Sequence, residues 1–226
     1  MTDTADSVAT PVADRAPGYV LIACAIASVV LLANHPGGDA RTLMGVLQGE
    51  AASQNANAVV HGGFIGLQVV ELAALAMLAM RLGAGRMWPV IALTFAAAGA
   101  AALSGSLLID GLVVPAIAAK YLAQQPLPDI ATVKPLISLC NLLIRFLMPL
   151  GLAFQAAANL CWAASLWRVG GAARIVGFAA AALGATVLAA LLATLSTLNP
   201  LIVMGGIGGQ ALLVAAIGAL LALRRL

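Results

Sequence analysis

Long apolar stretches separated by short polar ones recur along almost the whole chain. Most contain the roughly 20 residues that an α-helix needs to cross a hydrocarbon core of about 30 Å at 1.5 Å per residue. The alternation of apolar and polar positions that a transmembrane barrel requires does not occur. The pattern predicts six transmembrane helices, at 17–34, 58–80, 88–118, 135–167, 173–198 and 201–223.

Composition agrees with this pattern. Of the 226 residues, 63% are hydrophobic and only 8% are charged, with a mean hydropathy of +1.07, whereas a soluble domain has about 25% charged residues. We therefore predict an all-α integral membrane protein with a single six-helix domain at 17–226, in contact with the lipid bilayer. The acidic segment 1–16 is predicted to be a disordered tail.

The basic residues predict the orientation, because short loops rich in Lys and Arg stay on the cytoplasmic side. Six crossings place most of the 11 basic residues on one face, so both termini are predicted to be cytoplasmic, in a bacterial inner membrane. Because these loops account for the net charge of +3, no nucleic-acid partner is predicted. The residues on this face are Arg15, Arg81, Arg86, Arg168, Arg174, Arg224 and Arg225.

The third and fourth segments are longer than a bilayer needs, at about 45 to 50 Å each. They could tilt, or break at Gly111, Pro115 or Pro149. We favour projection as an exoplasmic hairpin, because the connection 120–135 is rich in proline, which suits a turn outside the bilayer.

Four titratable residues lie at similar heights in the predicted helices. Helix rise counted from the cytoplasmic anchors places Asp110 and Arg145 about 35 Å up, and His35 and His61 about 30 Å up. This level is the exoplasmic interface, where the hairpin and the loop 36–57 would cover a polar site. The loop itself has the pattern of a short helix, with Asp39 as its predicted cap.

Asp110 and Arg145 have two interpretations. As an ion pair they would fix the packing of the third helix against the fourth; as part of a ligand site they would face a polar interior. Asn141 lies one turn from Arg145 and adds a hydrogen-bonding group. Gln155 and Asn159 continue the polar face of Arg145 down the same helix.

The two histidines also have alternative interpretations. In the first, the two rings lie at the headgroup level, where they can hydrogen-bond to water and need no ligand. As metal ligands, His35 and His61 with Asp110 would supply two nitrogens and a carboxylate, a set known from zinc and non-haem iron sites. A haem held between the two histidines is a further alternative, provided that their helices stand a ring's width apart.

Glu71 lies about 15 Å up, near the bilayer midplane. Its nearest polar neighbour on the helix is Gln68. Carboxyls at this depth are candidates for binding a substrate or a proton. In the alternative interpretation, Glu71 is satisfied by a hydrogen bond to Gln210, Ser104 or a backbone carbonyl.

Small residues dominate the last two segments and indicate close helix packing, within the chain or in a homo-oligomer. The glycines concerned are Gly177, Gly184, Gly205, Gly206, Gly208 and Gly209.

No phosphate-binding loop, dinucleotide fingerprint, HExxH or GxSxG motif is present. The leading prediction is a membrane protein that binds, and by proton coupling translocates, a small solute or ion. Its ligand- or proton-binding residues would be Glu71, Gln68, Asp110, Arg145 and Asn141. One alternative is a metal- or haem-binding enzyme or redox protein that uses His35, His61 and Asp110. The other is a structural or assembly protein with no site.

Overall fold

A computed structural model describes residues 14–37, 40–193 and 200–226, and this part of the chain is helical with short connections and no strand. A π-helical turn, Ile109–Val113, joins α4 to α5, and a 3₁₀ turn, Ile130–Thr132, precedes α6. The α-helices are α1 (Ala16–Ala33), α2 (Leu43–Ala52), α3 (Gln54–Gly83), α4 (Met87–Leu108), α5 (Val114–Leu122), α6 (Lys134–Val169), α7 (Gly171–Ala193) and α8 (Pro200–Ala222).

Six helical segments are long and apolar enough to cross a membrane, which confirms the predicted all-helical fold and supports a multi-pass membrane protein in contact with lipid. The observed ends differ from the predicted ones by a few residues, except that the predicted end of the fifth segment at 198 lies outside the described residues. The predicted tail 1–16 lies mostly outside the described residues, so its disorder stays a prediction. The spans are Ala16–Ala33, Gln54–Gly83, Met87–Leu122, Ile130–Val169, Gly171–Ala193 and Ile202–Ala222.

The six long helices pack in a closed ring. α1 contacts α3 and α8, and contacts between α3 and α4, α4 and α6, α6 and α7, and α7 and α8 complete the circuit. Helices that follow one another in the chain are therefore neighbours in space. Polar residues on the inner faces of these helices can meet in the centre of the ring.

Glycines let several of these helices approach closely, which the sequence predicted for the last two segments. A Cβ atom added to Gly18 would lie 2.6 Å from the carbonyl oxygen of Gly218, where α1 crosses α8. One added to Gly184 of α7 would lie 2.6 Å from a main-chain oxygen of α6. Gly205 and Gly208 have nothing within 4 Å of such an atom, and the homo-oligomer stays a prediction.

The short helix predicted in the loop 36–57 is present as α2. Its N-cap is Thr42, whose Oγ1 accepts a hydrogen bond from the Gly45 amide at 3.1 Å; Asp39, the predicted cap, lies outside the described residues. α2 packs on α5 and on the start of α6. The buried side chains of this cluster are Leu47, Val114, Ala118, Tyr121, Val133, Ile137 and Cys140.

Neither long segment is interrupted. α6 continues through Pro149, while α4 passes into α5 through the π turn, in which the Val114 amide donates to Ile109 O. Pro115 has no amide hydrogen to offer the carbonyl of Gly111, so one α-helical hydrogen bond is missing where the π turn passes into α5. The helix therefore does not break at Gly111 or Pro115 but continues through a π turn, a feature frequent at functional sites.

Candidate functional site

A cavity of about 340 Å³ is lined by residues from all six long helices. On α3, the lining residues His61, Phe64, Gln68 and Glu71 follow one another at intervals of three and four, so they share one helix face. Ten residues of helix, about 15 Å, separate the histidine from the glutamate. The cavity therefore extends from the end near His61 toward the middle of the bundle.

Three potential metal ligands meet at the His61 end of the cavity, and we call them the His–His–Asp cluster: His35, His61 and Asp110. His35 follows the end of α1, His61 lies on α3, and Asp110 lies in the π turn. The His35 and His61 Nε2 atoms are 3.3 Å apart, and His61 Nε2 is 3.3 Å from Asp110 Oδ2. One ligand atom from each residue lies within 4.8 Å of the other two.

The His61 ring is held in one orientation. The residue is only 1% exposed, and its Nδ1 lies 3.0 Å from the carbonyl oxygen of Asn57. Because a carbonyl only accepts hydrogen bonds, Nδ1 carries the hydrogen. In the neutral ring, the lone pair of Nε2 then points toward Asp110 and His35.

Gly111 makes room for this ring. A Cβ atom at Gly111 would lie 2.1 Å from His61 Cγ and 2.3 Å from His61 Cβ. The π turn thus brings its backbone directly against the imidazole and places the Asp110 carboxylate at Nε2. Glycine is required here for close approach, since no larger residue leaves space for the ring.

Two groups at the cluster, His35 and Glu50, have shifted pKa values. Partial loss of solvent around its ring lowers the pKa of His35, and the positive charge that His61 can carry lowers it further, so its neutral form is favoured. A neutral imidazole is the form that binds metal. Burial raises the pKa of Glu50 on α2, and the nearby Asp110 charge adds to the effect. Glu50 accepts a hydrogen bond from Asn57 Nδ2 at 2.9 Å.

The observed positions of the two histidine rings do not fit a haem held between them. Their ring centroids are 4.9 Å apart in an edge-to-face contact, and Asp110 approaches the same His61 nitrogen. A porphyrin held on both axial sides needs the two rings on opposite faces of the macrocycle. No space for the macrocycle exists between rings that touch.

The alternative ion pair between Asp110 and Arg145 is wrong. Asp110 pairs with His61, while Arg145 and Asn141 are exposed on α6 and are not among the residues that line this cavity. Similar height along two helices does not decide which way a side chain points around each helix axis. A ligand role for Arg145 and Asn141 stays a prediction.

The hydrogen bonds predicted for Glu71 are also absent from the described part of the chain. Ser104 Oγ donates to Gln68 Oε1 at 2.9 Å, and Asn159 Nδ2 donates to Gln210 Oε1 at 2.9 Å. Both predicted partners, Ser104 and Gln210, are therefore engaged elsewhere. Glu71 lines the cavity without a hydrogen bond to a described residue.

Three amide side chains line the cavity that the sequence did not single out as site residues: Gln155, Asn159 and Gln210. The first two were recognised only as a polar continuation of the face of Arg145. The signal was present in the spacing of four between them, which marks one face of α6. Only the ring of helices shows that this face is the inner one.

No protein-family model matches the chain, and neither the curated proteins nor the solved structures include a significant match. The chemistry of the cavity is therefore the basis for a functional assignment.

Proposed function

We propose that this protein binds a divalent transition-metal ion at the His–His–Asp cluster and uses it for chemistry on a molecule held in the adjoining cavity. The observation that carries the proposal is the convergence of two imidazole nitrogens and one carboxylate oxygen, with two of the three separations at 3.3 Å. The three residues come from different elements, so their meeting is a property of the fold.

The two separations from His61 Nε2 fit one shared ion, and the remaining pair of ligand atoms lies within 4.8 Å. Zinc binds imidazole nitrogen and carboxylate oxygen at about 2.0 to 2.2 Å, so two ligands at a tetrahedral angle stand about 3.3 to 3.5 Å apart. Two histidines and one carboxylate are also the ligand set of non-haem iron sites. Either ion would keep at least one position for water or a substrate, and the three ligands themselves line the cavity.

The electrostatics also favour a cation between these residues. With its hydrogen on Nδ1, neutral His61 turns a lone pair toward the carboxylate of Asp110, which has only lone pairs to offer. A positive charge relieves this repulsion. It can be a metal ion, or a second proton on His61 that makes an imidazolium–carboxylate pair.

Metal titration separates these two possibilities. Protein purified in mild detergent and treated with a chelator should bind one Co²⁺ per chain, with visible absorption bands of a nitrogen- and oxygen-ligated ion that Zn²⁺ abolishes. Glu50→Gln is the matched control, because it removes a neighbouring charge and retains an oxygen for Asn57. Failure of Co²⁺, Zn²⁺, Fe²⁺ and Mn²⁺ to bind stoichiometrically would overturn the proposal in favour of the ion pair.

Passage of a small solute or ion is the second candidate function. It is supported by Glu71, an unpartnered carboxyl about 15 Å along α3 from His61 and in the same cavity. Uptake into proteoliposomes that Glu71→Gln abolishes would favour this function over catalysis.

We further propose that both termini face the cytoplasm of a bacterial cell and that the hairpin of α5 and α6 lies outside. The support is the basic composition of the loop ends predicted to be cytoplasmic. Cysteine labelling can test it with little background, because Cys24, Cys140 and Cys161 are buried.

In spheroplasts, a membrane-impermeant maleimide should label Gln124→Cys, which is in the hairpin. Gly85→Cys, between α3 and α4, should react only after permeabilisation. Both positions are exposed. The opposite labelling pattern would reverse the proposed orientation.

A further inference from the structure

The inner part of the cavity contains a buried acceptor without a partner. Asn159 is only 2% exposed, and its Nδ2 group donates a hydrogen bond to Gln210 Oε1. Its Oδ1 atom makes no hydrogen bond within the described residues. A buried polar atom of this kind is rare in folded proteins and calls for a partner.

Glu71 adds a second acceptor on the α3 side of the same cavity. Its carboxyl has no hydrogen-bond partner in the described part of the chain, and two of the amides on the lining each make one hydrogen bond. Gln68 accepts from Ser104, and Gln155 Nε2 donates to the carbonyl oxygen of Ala96 at 3.3 Å. The Glu71 carboxyl and Asn159 Oδ1 are thus two acceptors that a ligand in the cavity can engage.

We propose that Glu71 and Asn159 form a binding site for the ammonium group of an organic amine. An ammonium has three donors and no acceptor, which complements a carboxylate and an amide oxygen. A hydroxyl has only one donor, and a carboxylate has none. A charge in an apolar interior also needs an opposite charge beside it, and Glu71 can supply that charge.

The rest of the lining defines the body of the ligand. Apart from Ser28, Gln68, Gln155 and Gln210, the other side chains that line the cavity are apolar, which favours a hydrocarbon or aromatic body that extends toward the cluster. A volume of about 340 Å³ falls within the range of small-molecule sites, about 300 to 1,000 Å³. The apolar lining residues on α1, α3, α4 and α6 include Leu32, Phe64, Leu103, Leu107, Met148 and Leu152.

The inference deepens the proposed function by naming a substrate class, but amine binding itself does not depend on the metal. It can therefore be tested with chelator present, using three probes that share one body: 2-phenylethylamine, 2-phenylethanol and phenylacetate. Equilibrium dialysis against protein in nanodiscs, with empty nanodiscs subtracted, measures their affinities. We expect the amine to bind at least about tenfold more tightly than the other two, since hydrogen bonds to charged groups are the stronger ones.

Two variants test whether the preference for the amine arises from Glu71 and Asn159. Glu71→Gln should reduce the affinity for the amine by about tenfold or more and leave the affinity for the alcohol unchanged. Asn159→Leu should reduce the affinity for the amine by a smaller factor. Glu50→Gln is the control, because this carboxyl does not line the cavity. An unfolding midpoint equal to that of the wild type shows that each variant is folded.

Equal affinity of the wild-type protein for amine and alcohol, or an amine preference that survives in Glu71→Gln, would overturn the inference. Absence of binding by all three probes would overturn it as well. Each of these results leaves Co²⁺ binding untouched, so failure of the amine site and failure of the metal site are distinguishable.

Discussion

Replacing His35 by Ala should abolish stoichiometric metal binding and leave the helix bundle folded. His35 is exposed, lies beyond the end of α1 and contacts His61 rather than the carboxylate. An exposed substitution changes stability by about 0.5 kcal/mol or less. Loss of one of three ligands should reduce metal affinity by more than about 100-fold, since changes to the groups that hydrogen-bond to metal ligands already reduce it 10- to 100-fold.

The measurement is a Co²⁺ titration of His35→Ala alongside its thermal unfolding midpoint in the same detergent. His61→Ala and Asp110→Asn should lose metal too, but they also break the contact between α3 and the π turn, and we expect lower midpoints for both. Glu50→Gln should retain the wild-type affinity within a few-fold.

His35→Ala separates a metal site from a structural ion pair better than the other two variants. If His61 and Asp110 only join two helices, removal of His35 takes away neither charge. A variant that keeps wild-type metal binding would exclude His35 as a ligand. One that unfolds would instead assign His35 a role in packing.

The helices could be predicted from the sequence because burial in lipid imposes one simple requirement, a long apolar run with its backbone hydrogen bonds satisfied internally. Height along a helix also followed from residue counting at 1.5 Å per residue. That count brought His35, His61 and Asp110 to a common level, and the structure brings the three into contact.

Direction around the helix axis could not be predicted in the same way. Arg145 has a height similar to that of Asp110 but is exposed, because its orientation depends on which neighbours α6 acquires in the ring. The hydrogen-bond partners suggested for Glu71 were wrong for the same reason. Ser104 is hydrogen-bonded to Gln68, and Gln210 is hydrogen-bonded to Asn159. Such choices depend on tertiary packing, and mainly apolar helices carry a weak amphipathic signal.

The π turn shows how a local feature of the sequence acquires a tertiary consequence. Gly111 and Pro115 were noted as points where the helix could break. Their spacing of four pairs a carbonyl with a residue that has no amide hydrogen, and the π turn beside them contains Asp110. Only the position of His61 shows that Gly111 is needed for close contact with the imidazole ring.

Gly111→Ala should therefore damage the cluster without altering any ligand. The new Cβ would lie 2.1 Å from His61 Cγ and 2.5 Å from Nδ1, well inside van der Waals contact, so the imidazole or the π turn has to move. Overpacking costs about 1 to 3 kcal/mol. Displacement of either element separates Nε2 from Asp110, and we expect metal affinity to fall by about 100-fold or more, together with a lower unfolding midpoint.

The matched control is Gly62→Ala, the residue next to His61 on α3, where an added Cβ has nothing within 4 Å. Alanine is favoured over glycine within a helix by up to about 1 kcal/mol, so this variant should keep its metal and unfold at an equal or higher temperature. Wild-type Co²⁺ affinity in Gly111→Ala would mean that His61 does not need its observed position to bind the ion. That result would contradict the assignment of His61 as a ligand held by the π turn, because the same methyl group cannot share the space of the ring.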